Sequence, residues 1–128
     1  MKRIQRKRTK GWRMPENTVY VGRGSKWGNP FRVGDFTIDN NEDAVRQYRS
    51  WILQGMRYYR EEDDSFHYPP TVKEIKQELA GKDLACWCGI VDKYNKYIPC
   101  HADILLSLAN DLTLEEVKNE NLREKKLL

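Results

Sequence analysis

Two short segments rich in β-branched and apolar residues constrain the fold of this chain more than any other feature. Residues 18–21 and 84–88 each have the length and composition of a buried strand. Between them, apolar residues recur at helical spacing over residues 42–58, and a capping box at Thr71 predicts a second helix. Strands that alternate with helices predict an α/β fold: a small single domain with a mostly parallel, Rossmann-like sheet and flanking helices.

The length of the chain limits its domain organisation. With 128 residues, the sequence predicts one domain with one modest core. Residues 1–15 are expected to form a basic N-terminal arm, residues 16–112 the α/β domain, and residues 113–128 a charged C-terminal helix that begins with a second capping box. No apolar run approaches the ~18 residues of a membrane helix. Three cysteines, an odd number, disfavour a disulfide framework, so we expect a cytoplasmic protein.

Charge is distributed unevenly along the chain. The net charge is +4, but residues 1–14 carry seven basic residues and no acidic one, so the remainder is mildly acidic. Basic residues clustered at a terminus are typical of segments that contact nucleic-acid phosphates without reading the base sequence. The alternative is a solvated tail that contributes only solubility.

All three cysteines and one of the two histidines fall within sixteen positions; these residues are Cys86, Cys88, Cys100 and His101. Three thiolates and one imidazole make a complete tetrahedral ligand set, so zinc is the candidate cofactor. The spacing is unusual for a zinc module, because the members of each pair are separated by one residue or by none. Adjacent residues on a helix also point about 100° apart, which makes joint coordination awkward.

The same residues are candidates for covalent catalysis. Cys100 lies at a predicted helix N-terminus, where the helix dipole and free N–H groups lower the pKa of a thiol. If the protein is an enzyme, Cys86 or Cys100 would be the nucleophile. His101 or Asp103 would then act as the acid or base. A third alternative is that the two cysteines of the predicted strand pack as small hydrophobic residues.

A glycine-rich segment, residues 22–31, follows the first predicted strand. Glycine lets backbone N–H groups approach an anion closely, and the segment adds two cations, a hydroxyl and an aromatic face on which a base could stack. The candidate residues for binding a phosphate or nucleotide are Arg23, Gly24, Ser25, Lys26, Trp27, Gly28 and Asn29. The segment matches neither the Walker nor the dinucleotide fingerprint, so the alternative is an ordinary turn.

Both motifs are expected at one edge of the sheet. Ligands of open α/β sheets lie at the carboxyl ends of the strands. The glycine-rich segment leaves the first predicted strand at that end, and Cys86 and Cys88 end the second. If the two strands are parallel neighbours, the motifs form two halves of one site.

Two sequence blocks resemble a known family. Arg-Gly-Ser-Lys-Trp-Gly-Asn-Pro-Phe, and Leu-Ala-Cys-Trp-Cys followed by Cys-His-Ala-Asp, are similar to blocks of the domain of unknown function 4326, which is frequent in phage and bacterial genomes. The resemblance covers about residues 18–110 and implies a small α/β protein, often phage-encoded, which would then lie in the host cytoplasm. It extends to Arg23, Gly24, Trp27, Gly28, Asn29, Pro30, Cys86, Cys88, Cys100, His101 and Asp103. The linker between Cys88 and Cys100 is longer than the usual link of the family, which weakens the case for a compact zinc knuckle.

We therefore expect a protein that binds a nucleotide or a nucleic-acid phosphate at one edge of the sheet. As an enzyme it would hydrolyse or transfer a nucleotide or modified-base group. The alternative is a non-enzymatic protein that sequesters a nucleotide or interacts with a host protein, with structural cysteines. A nucleic-acid accessory protein that acts through the basic arm is a third alternative. The sequence leaves the ligand, the metal and the oligomeric state open.

Overall fold

Over residues 1–35 and 37–126, which the computed structural model describes, the chain forms a three-stranded sheet, a two-stranded sheet and four α-helices. Side chains are described as far as residue 123. The elements in chain order are β1 (Arg3–Gln5), β2 (Thr18–Tyr20), α1 (Asn41–Gln54), β3 (Tyr58–Arg60), β4 (Ser65–His67), α2 (Val72–Leu79), β5 (Asp83–Cys86), α3 (His101–Asn110) and α4 (Leu114–Lys126). This is the α/β class that the alternation of segments predicts.

The larger sheet is parallel, and β5 is its central strand. β5 pairs with β1 on one side and with β2 on the other, so that Leu84 lies opposite both Arg3 and Val19. Leu84 and Ala85 are fully buried, as expected for a strand covered on both faces. The two predicted strands are thus confirmed as parallel neighbours, and both end at the same edge of the sheet.

β1 lies within the segment that was expected to be a basic arm. Arg3, at its start, is buried, and its guanidinium donates to the carbonyl oxygens of Gly89 at 3.2 Å and Ile98 at 2.7 Å. It also lies 3.4 Å from the carboxylate of Asp103. The structure therefore corrects the expectation for residues 1–15, because the first part of this segment belongs to the sheet. A strand of three residues is too short to produce a periodic pattern in the sequence.

α1 is the predicted helix over residues 42–58, shortened at its C-terminus. Asn40 caps it by accepting a hydrogen bond from the N–H of Asp43 at 2.8 Å. Gly55 ends it in the left-handed conformation, with φ of 70°, which costs glycine little. One face of the helix enters the core through Ala44, Val45, Tyr48, Trp51 and Ile52.

α3 is the helix around which the core is assembled. It contacts α1, α2 and α4 as well as β1 and β5. Residues 101–106 are all buried, because a helix with neighbours on every side has no face exposed to solvent. Since Cys100 and His101 lie at the start of this helix, half of the cysteine motif is anchored in the core.

β3 and β4 form an antiparallel pair that the sequence does not reveal. Tyr58 pairs with His67 and Arg60 with Ser65, and a one-turn 3₁₀ helix at Glu61–Asp63 connects the strands. Each strand has three residues and the connection is strongly charged, so neither alternation nor a turn signature marks the hairpin.

The predicted C-terminal helix over residues 113–128 is observed as α4, and residues 127 and 128 lie outside the described part of the chain. The predicted capping box is present: the hydroxyl of Thr113 accepts from the N–H of Glu116, and the Glu116 carboxylate accepts from the N–H of Thr113. Among the described residues, no helix combines the length and apolarity that crossing a membrane requires.

Candidate functional site

The predicted thiol and imidazole ligands meet where β5 ends and α3 begins. The ligand atoms of Cys86, Cys100 and His101 all lie within 4.8 Å of one another. Cys88 stands beside this group, with its Sγ atom 3.7 Å from the Sγ atom of Cys86. All three cysteines are free thiols. These four residues, the Cys/His cluster below, therefore present the donor types that zinc prefers.

The linker inside the motif is folded back on itself. Residues 89–99 form a short hairpin in which the N–H of Ile98 donates to the carbonyl of Ile90 at 2.8 Å. A second backbone hydrogen bond, from the N–H of Asp92 to the carbonyl of Lys96 at 2.8 Å, closes the tip of the hairpin. The two ends of the linker, and with them Cys88 and Cys100, are thereby brought together. The length of the linker, which was expected to weaken a compact site, does not keep the ligands apart.

Cys100 and His101 are adjacent, yet their donor atoms converge. Cys100 is the N-cap residue and has an extended backbone. Its side chain is therefore not rotated by about 100° from that of His101, as it would be if both residues were helical. Its Sγ atom lies 3.6 Å from Nδ1 of His101. The other ring nitrogen, Nε2, lies 2.7 Å from the carbonyl oxygen of Val21. A carbonyl oxygen only accepts, so Nε2 carries the proton and Nδ1 presents a lone pair towards Cys100.

Close packing of the thiols perturbs their acidity. Hydrogen bonds from Cys100 and Cys88 hold the pKa of Cys86 far below the ordinary range of a thiol. The same contact with Cys86, reinforced by burial, raises the pKa of Cys100. Burial lowers the pKa of His101, so its ring is neutral at neutral pH. A thiolate beside a neutral imidazole is a donor set suited to a cation.

A cleft of about 450 Å³ opens beside the cluster, and Cys86, Cys88 and His101 form part of its wall. Its size is typical of small-molecule sites. The remaining wall includes two arginines, two amides and three aromatic side chains, which are Arg23, Arg32, Asn29, Asn41, Tyr20, Phe31 and Trp87. A larger depression of about 790 Å³ shares Phe31 with it, but contains none of the predicted site residues.

The glycine-rich segment contributes two of its seven candidate residues to this cleft. Arg23 and Asn29 line it. Lys26 instead reaches α2, where its amine lies 3.3 Å from the carboxylate of Glu74 and 2.5 Å from that of Glu78. The Lys26 cation is therefore already paired and points away from the cleft.

Three further candidates shape the turn rather than line the cleft. The hydroxyl of Ser25 donates to the carbonyl of Gly22 at 2.7 Å. Gly24 adopts φ of 91°, which favours glycine. A Cβ atom on residue 28 would lie 3.1 Å from the carbonyl oxygen of Gly22. The backbone can approach Gly22 this closely because residue 28 is glycine.

Trp27 is part of the core. Its side chain is 4% exposed, and its backbone carbonyl accepts a hydrogen bond from the hydroxyl of the buried Tyr48 at 2.7 Å. The structure therefore corrects the expectation that Trp27 stacks on a base. Sequence reasoning missed the aromatic residues that do line the cleft, although Trp87 lies between two candidate ligands and Tyr20 ends the strand that leads into the glycine-rich segment.

Asp103 belongs to a buried polar network on the other side of the cluster. Its carboxylate accepts from the hydroxyl of Tyr97 at 2.8 Å, from the amide of Asn121 at 3.2 Å and from the N–H of Cys100 at 3.3 Å, and it forms the ion pair with Arg3. Burial raises its pKa. These partners come from the linker, the start of α3, β1 and α4. Asp103 does not line the cleft as an acid or base would.

The part of the chain from β1 to the end of α3 matches a family model described as Domain of unknown function (DUF4326), over residues 4–111. The chain belongs to this family. The expected family membership is thereby confirmed, and the matched residues include both the glycine-rich segment and the Cys/His cluster. α4 lies outside it. No curated protein and no solved structure matches the chain.

Proposed function

We propose that this DUF4326 protein binds a nucleotide in the cleft, and that the Cys/His cluster holds a structural zinc ion that shapes one wall of it. The observation that carries the proposal is the meeting of arginines, aromatic rings and zinc-type ligands around one cavity of about 450 Å³. The proposal implies a reducing compartment such as the cytoplasm, or the host cytoplasm for a phage-encoded chain, because oxidised cysteines do not bind zinc.

The chemistry of the cleft favours a ligand with both a phosphate and an aromatic ring. Arg23 and Arg32 are exposed at the cleft, and within the described part of the chain neither forms an ion pair with an acidic side chain. Guanidinium groups bind phosphate oxygens in a bidentate manner. Tyr20, Phe31 and Trp87 provide aromatic surface against which a base can pack. A nucleotide is the ligand class that uses both features.

Two donor–donor distances within the cluster match edges of a zinc tetrahedron. Two zinc–sulfur bonds of ~2.3 Å at the tetrahedral angle separate the sulfur atoms by ~3.8 Å, and the Sγ atoms of Cys86 and Cys88 are 3.7 Å apart. A zinc–sulfur and a zinc–nitrogen bond separate their donor atoms by ~3.5 Å, and Cys100 Sγ lies 3.6 Å from His101 Nδ1. These distances support a site with three thiolates and one imidazole.

The outer support of the cluster fits the same proposal. A histidine that binds a metal through one ring nitrogen usually donates the other N–H to a carbonyl or carboxylate, which fixes the tautomer and the ring orientation. His101 does this with Val21, the residue that follows β2. An ion at the cluster would therefore tie together the ends of β2 and β5 and the start of α3, which are the elements that surround the cleft.

A second candidate function, a zinc-dependent hydrolase, is favoured by one observation. The tight group contains three ligands, whereas Cys88 is only half-buried and itself lines the cleft. Three protein ligands and a fourth position open to solvent are the pattern of catalytic zinc, which activates a water molecule. Covalent catalysis by Cys100 has less support, because its side chain is 1% exposed and does not line the cleft.

Metal analysis and ligand titration test the proposal. Native mass spectrometry of the freshly purified full chain is expected to show one zinc ion per chain, and Cys100→Ala is expected to abolish it. Calorimetric titration with AMP and ATP is expected to show binding that Arg23→Ala weakens roughly tenfold or more, the scale of a hydrogen bond to a charged group. Arg46→Ala is the matched control, since Arg46 is an exposed arginine of α1 outside the cleft.

Cys88→Ala separates the two candidates. A structural site with four protein ligands loses most of its zinc affinity in this variant, whereas a catalytic site retains the metal and the wild-type chain shows turnover of a nucleotide substrate. A folded chain that contains no zinc would overturn the metal part of the proposal. Nucleotide affinity that is equal in the wild type and in Arg23→Ala would overturn the assignment of the cleft.

A further inference from the structure

The N-terminal segment runs along the edge of the sheet beside the cleft. The N–H of Arg6, the residue that follows β1, donates to the carbonyl of Cys86 at 2.7 Å. This bond continues the pairing between β1 and β5 by one residue. It holds Arg6 next to the cluster and next to Trp87, so the start of the basic segment is fixed relative to the site.

Two arginines of this segment lie over the exposed tryptophan of the cleft. The guanidinium carbon of Arg6 is 5.2 Å from the ring centroid of Trp87, and that of Arg8 is 4.9 Å from it. Arg6 also lies 4.7 Å from the ring of Tyr20, which lines the same cleft. We call Arg6, Trp87 and Arg8 the arginine–tryptophan stack. It extends the surface of the cleft outwards along the N-terminal segment.

The positive charge of this surface is not compensated. Within the part of the chain that the structure describes, no acidic side chain forms an ion pair with any of the cations at Arg6, Lys7, Arg8, Lys10 and Arg13. Some exposed cations elsewhere are paired, as Lys26 and Lys76 are with carboxylates. This segment differs in that five cations fall within eight positions of the chain. A run of unpaired cations that leads to a cleft with two further free arginines attracts a polyanion.

A free mononucleotide would leave most of this surface unused. Its base and phosphate need only the residues that line the cleft, Trp87 among them, whereas Arg6, Arg8 and the cations after them lie outside that lining. A nucleic-acid strand satisfies both parts, because a neighbouring base can pack on the indole while the displaced guanidinium turns to a phosphate. A duplex does not, since its bases are already stacked on one another and cannot reach the ring.

We propose that the nucleotide in the cleft belongs to a single-stranded nucleic acid whose flanking residues pass over the arginine–tryptophan stack. The inference rests on the proposed nucleotide binding and specifies that the ligand is a single-stranded nucleic acid. DNA and RNA share the chemistry that the stack recognises, namely an unpaired base and a phosphate. The basic segment that the sequence assigned to a separate arm thus becomes part of the binding site.

Fluorescence anisotropy with labelled single strands of about twelve nucleotides, a common footprint for stacking sites, tests this inference. Oligothymidylate and oligouridylate are compared with a duplex of equal length and with AMP, all against the full chain. We expect a single strand to bind at least ~10-fold more tightly than the duplex or AMP, with log K falling by about 0.7 per phosphate contact for each unit of log salt. The ratio of the two oligonucleotide affinities reports whether DNA or RNA is preferred.

Two variants locate the binding surface. Trp87→Ala is expected to weaken single-strand binding roughly 5- to 100-fold, the range for loss of one stacked base. Arg8→Gln is expected to weaken it, to reduce the salt slope by about 0.7 and to leave AMP binding unchanged. Tyr94→Ala is the matched control, because Tyr94 is an exposed ring with Lys93 at 5.1 Å but does not line the cleft. Zinc content and thermal unfolding show whether each variant is folded.

The outcomes separate this inference from the proposed function. If AMP binds in the cleft but oligonucleotides bind no more tightly, or a duplex binds equally well, the inference fails and the proposed function stands. Equal effects of Trp87→Ala and Tyr94→Ala on single-strand affinity also overturn the inference. If AMP and every oligonucleotide fail to bind a folded, zinc-loaded chain, both proposals fall.

Discussion

The glycine-rich segment (residues 22–31) and the cysteine segment (residues 86–101) follow neighbouring parallel strands. They differ in whether their side chains face the protein interior or the cleft. In the first, most of the candidate side chains are turned towards the protein itself: Trp27 is in the core, Lys26 is paired with α2 and Ser25 bonds its own turn. In the second, thiols, imidazole and indole face one another or the cleft. The difference is clearest in the two tryptophans, because the buried Trp27 stabilises the fold and the exposed Trp87 is available to a ligand.

This comparison shows that a motif rich in ligand-binding residue types does not by itself locate the ligand. Each segment contains a tryptophan flanked by reactive or charged neighbours. What distinguishes them is the surface that covers each ring: α1 packs near Trp27 through Tyr48, whereas Arg6 and Arg8 of the N-terminal segment lie over Trp87.

Alanine at the two tryptophans gives the largest expected contrast. Trp27→Ala removes a ring that is 4% exposed and should lower the free energy of unfolding by about 3–5 kcal/mol, since the loss of buried surface and the resulting cavity add. Trp87→Ala removes a ring that is 39% exposed and should change it by less than about 1 kcal/mol. Urea denaturation followed by circular dichroism measures both. Equal losses of stability would contradict the contrast.

Removal of zinc should lower the stability that the cysteine segment contributes and leave the contribution of the glycine-rich segment unchanged. With zinc at a hundred times its dissociation constant, a chelator is expected to lower the free energy of unfolding by about 2.7 kcal/mol, the linkage value for an ion bound by the folded chain and not by the unfolded one. The Cys100→Ala chain should melt at one temperature with or without the chelator. A wild-type chain whose melting temperature does not respond to EDTA would show that the cluster is held by thiol packing alone.

Glycine substitution should reveal the close packing of the glycine-rich segment. A Cβ atom at residue 28 would meet backbone atoms of residues 22 and 23 at 3.1 and 3.3 Å, so Gly28→Ala is expected to cost about 1–2 kcal/mol of stability. In the cysteine segment, Gly89→Ala would place the same atom no closer than 3.6 Å to a neighbour, an ordinary contact. Thermal unfolding of the pair tests this, and the comparison fails if Gly89→Ala is the more damaging change.

The smallest effect is expected at Lys26. Its ion pairs with α2 are exposed to solvent, where such pairs contribute little, so Lys26→Ala should leave the melting temperature and the nucleotide affinity within experimental error. Arg23→Ala should behave in the opposite way and weaken nucleotide binding without loss of stability. Calorimetric titration of the two variants in parallel would contradict the assignment of the cleft if Lys26→Ala were the weaker binder.

Local signals predict much of the frame of the fold. Helical spacing and caps locate α1, α2, α3 and α4 to within a few residues, because each helix depends on neighbours three or four positions apart. The apolar runs of β2 and β5 are similarly visible. β1, β3 and β4 are not, since each has three residues with charged neighbours and no apolar run. The pairing of β1 also depends on β5, a distant part of the chain.

The sequence by itself determined the residue types at the site and the strands that carry them to one edge of the sheet. Only the tertiary structure decided which of those side chains meet. The bond between His101 and Val21 joins residues 80 positions apart, and the cluster closes only because the linker folds back and α3 packs on β5. Such contacts follow from how the core packs as a whole, and no local pattern encodes whether a ring such as Trp27 or Trp87 is covered.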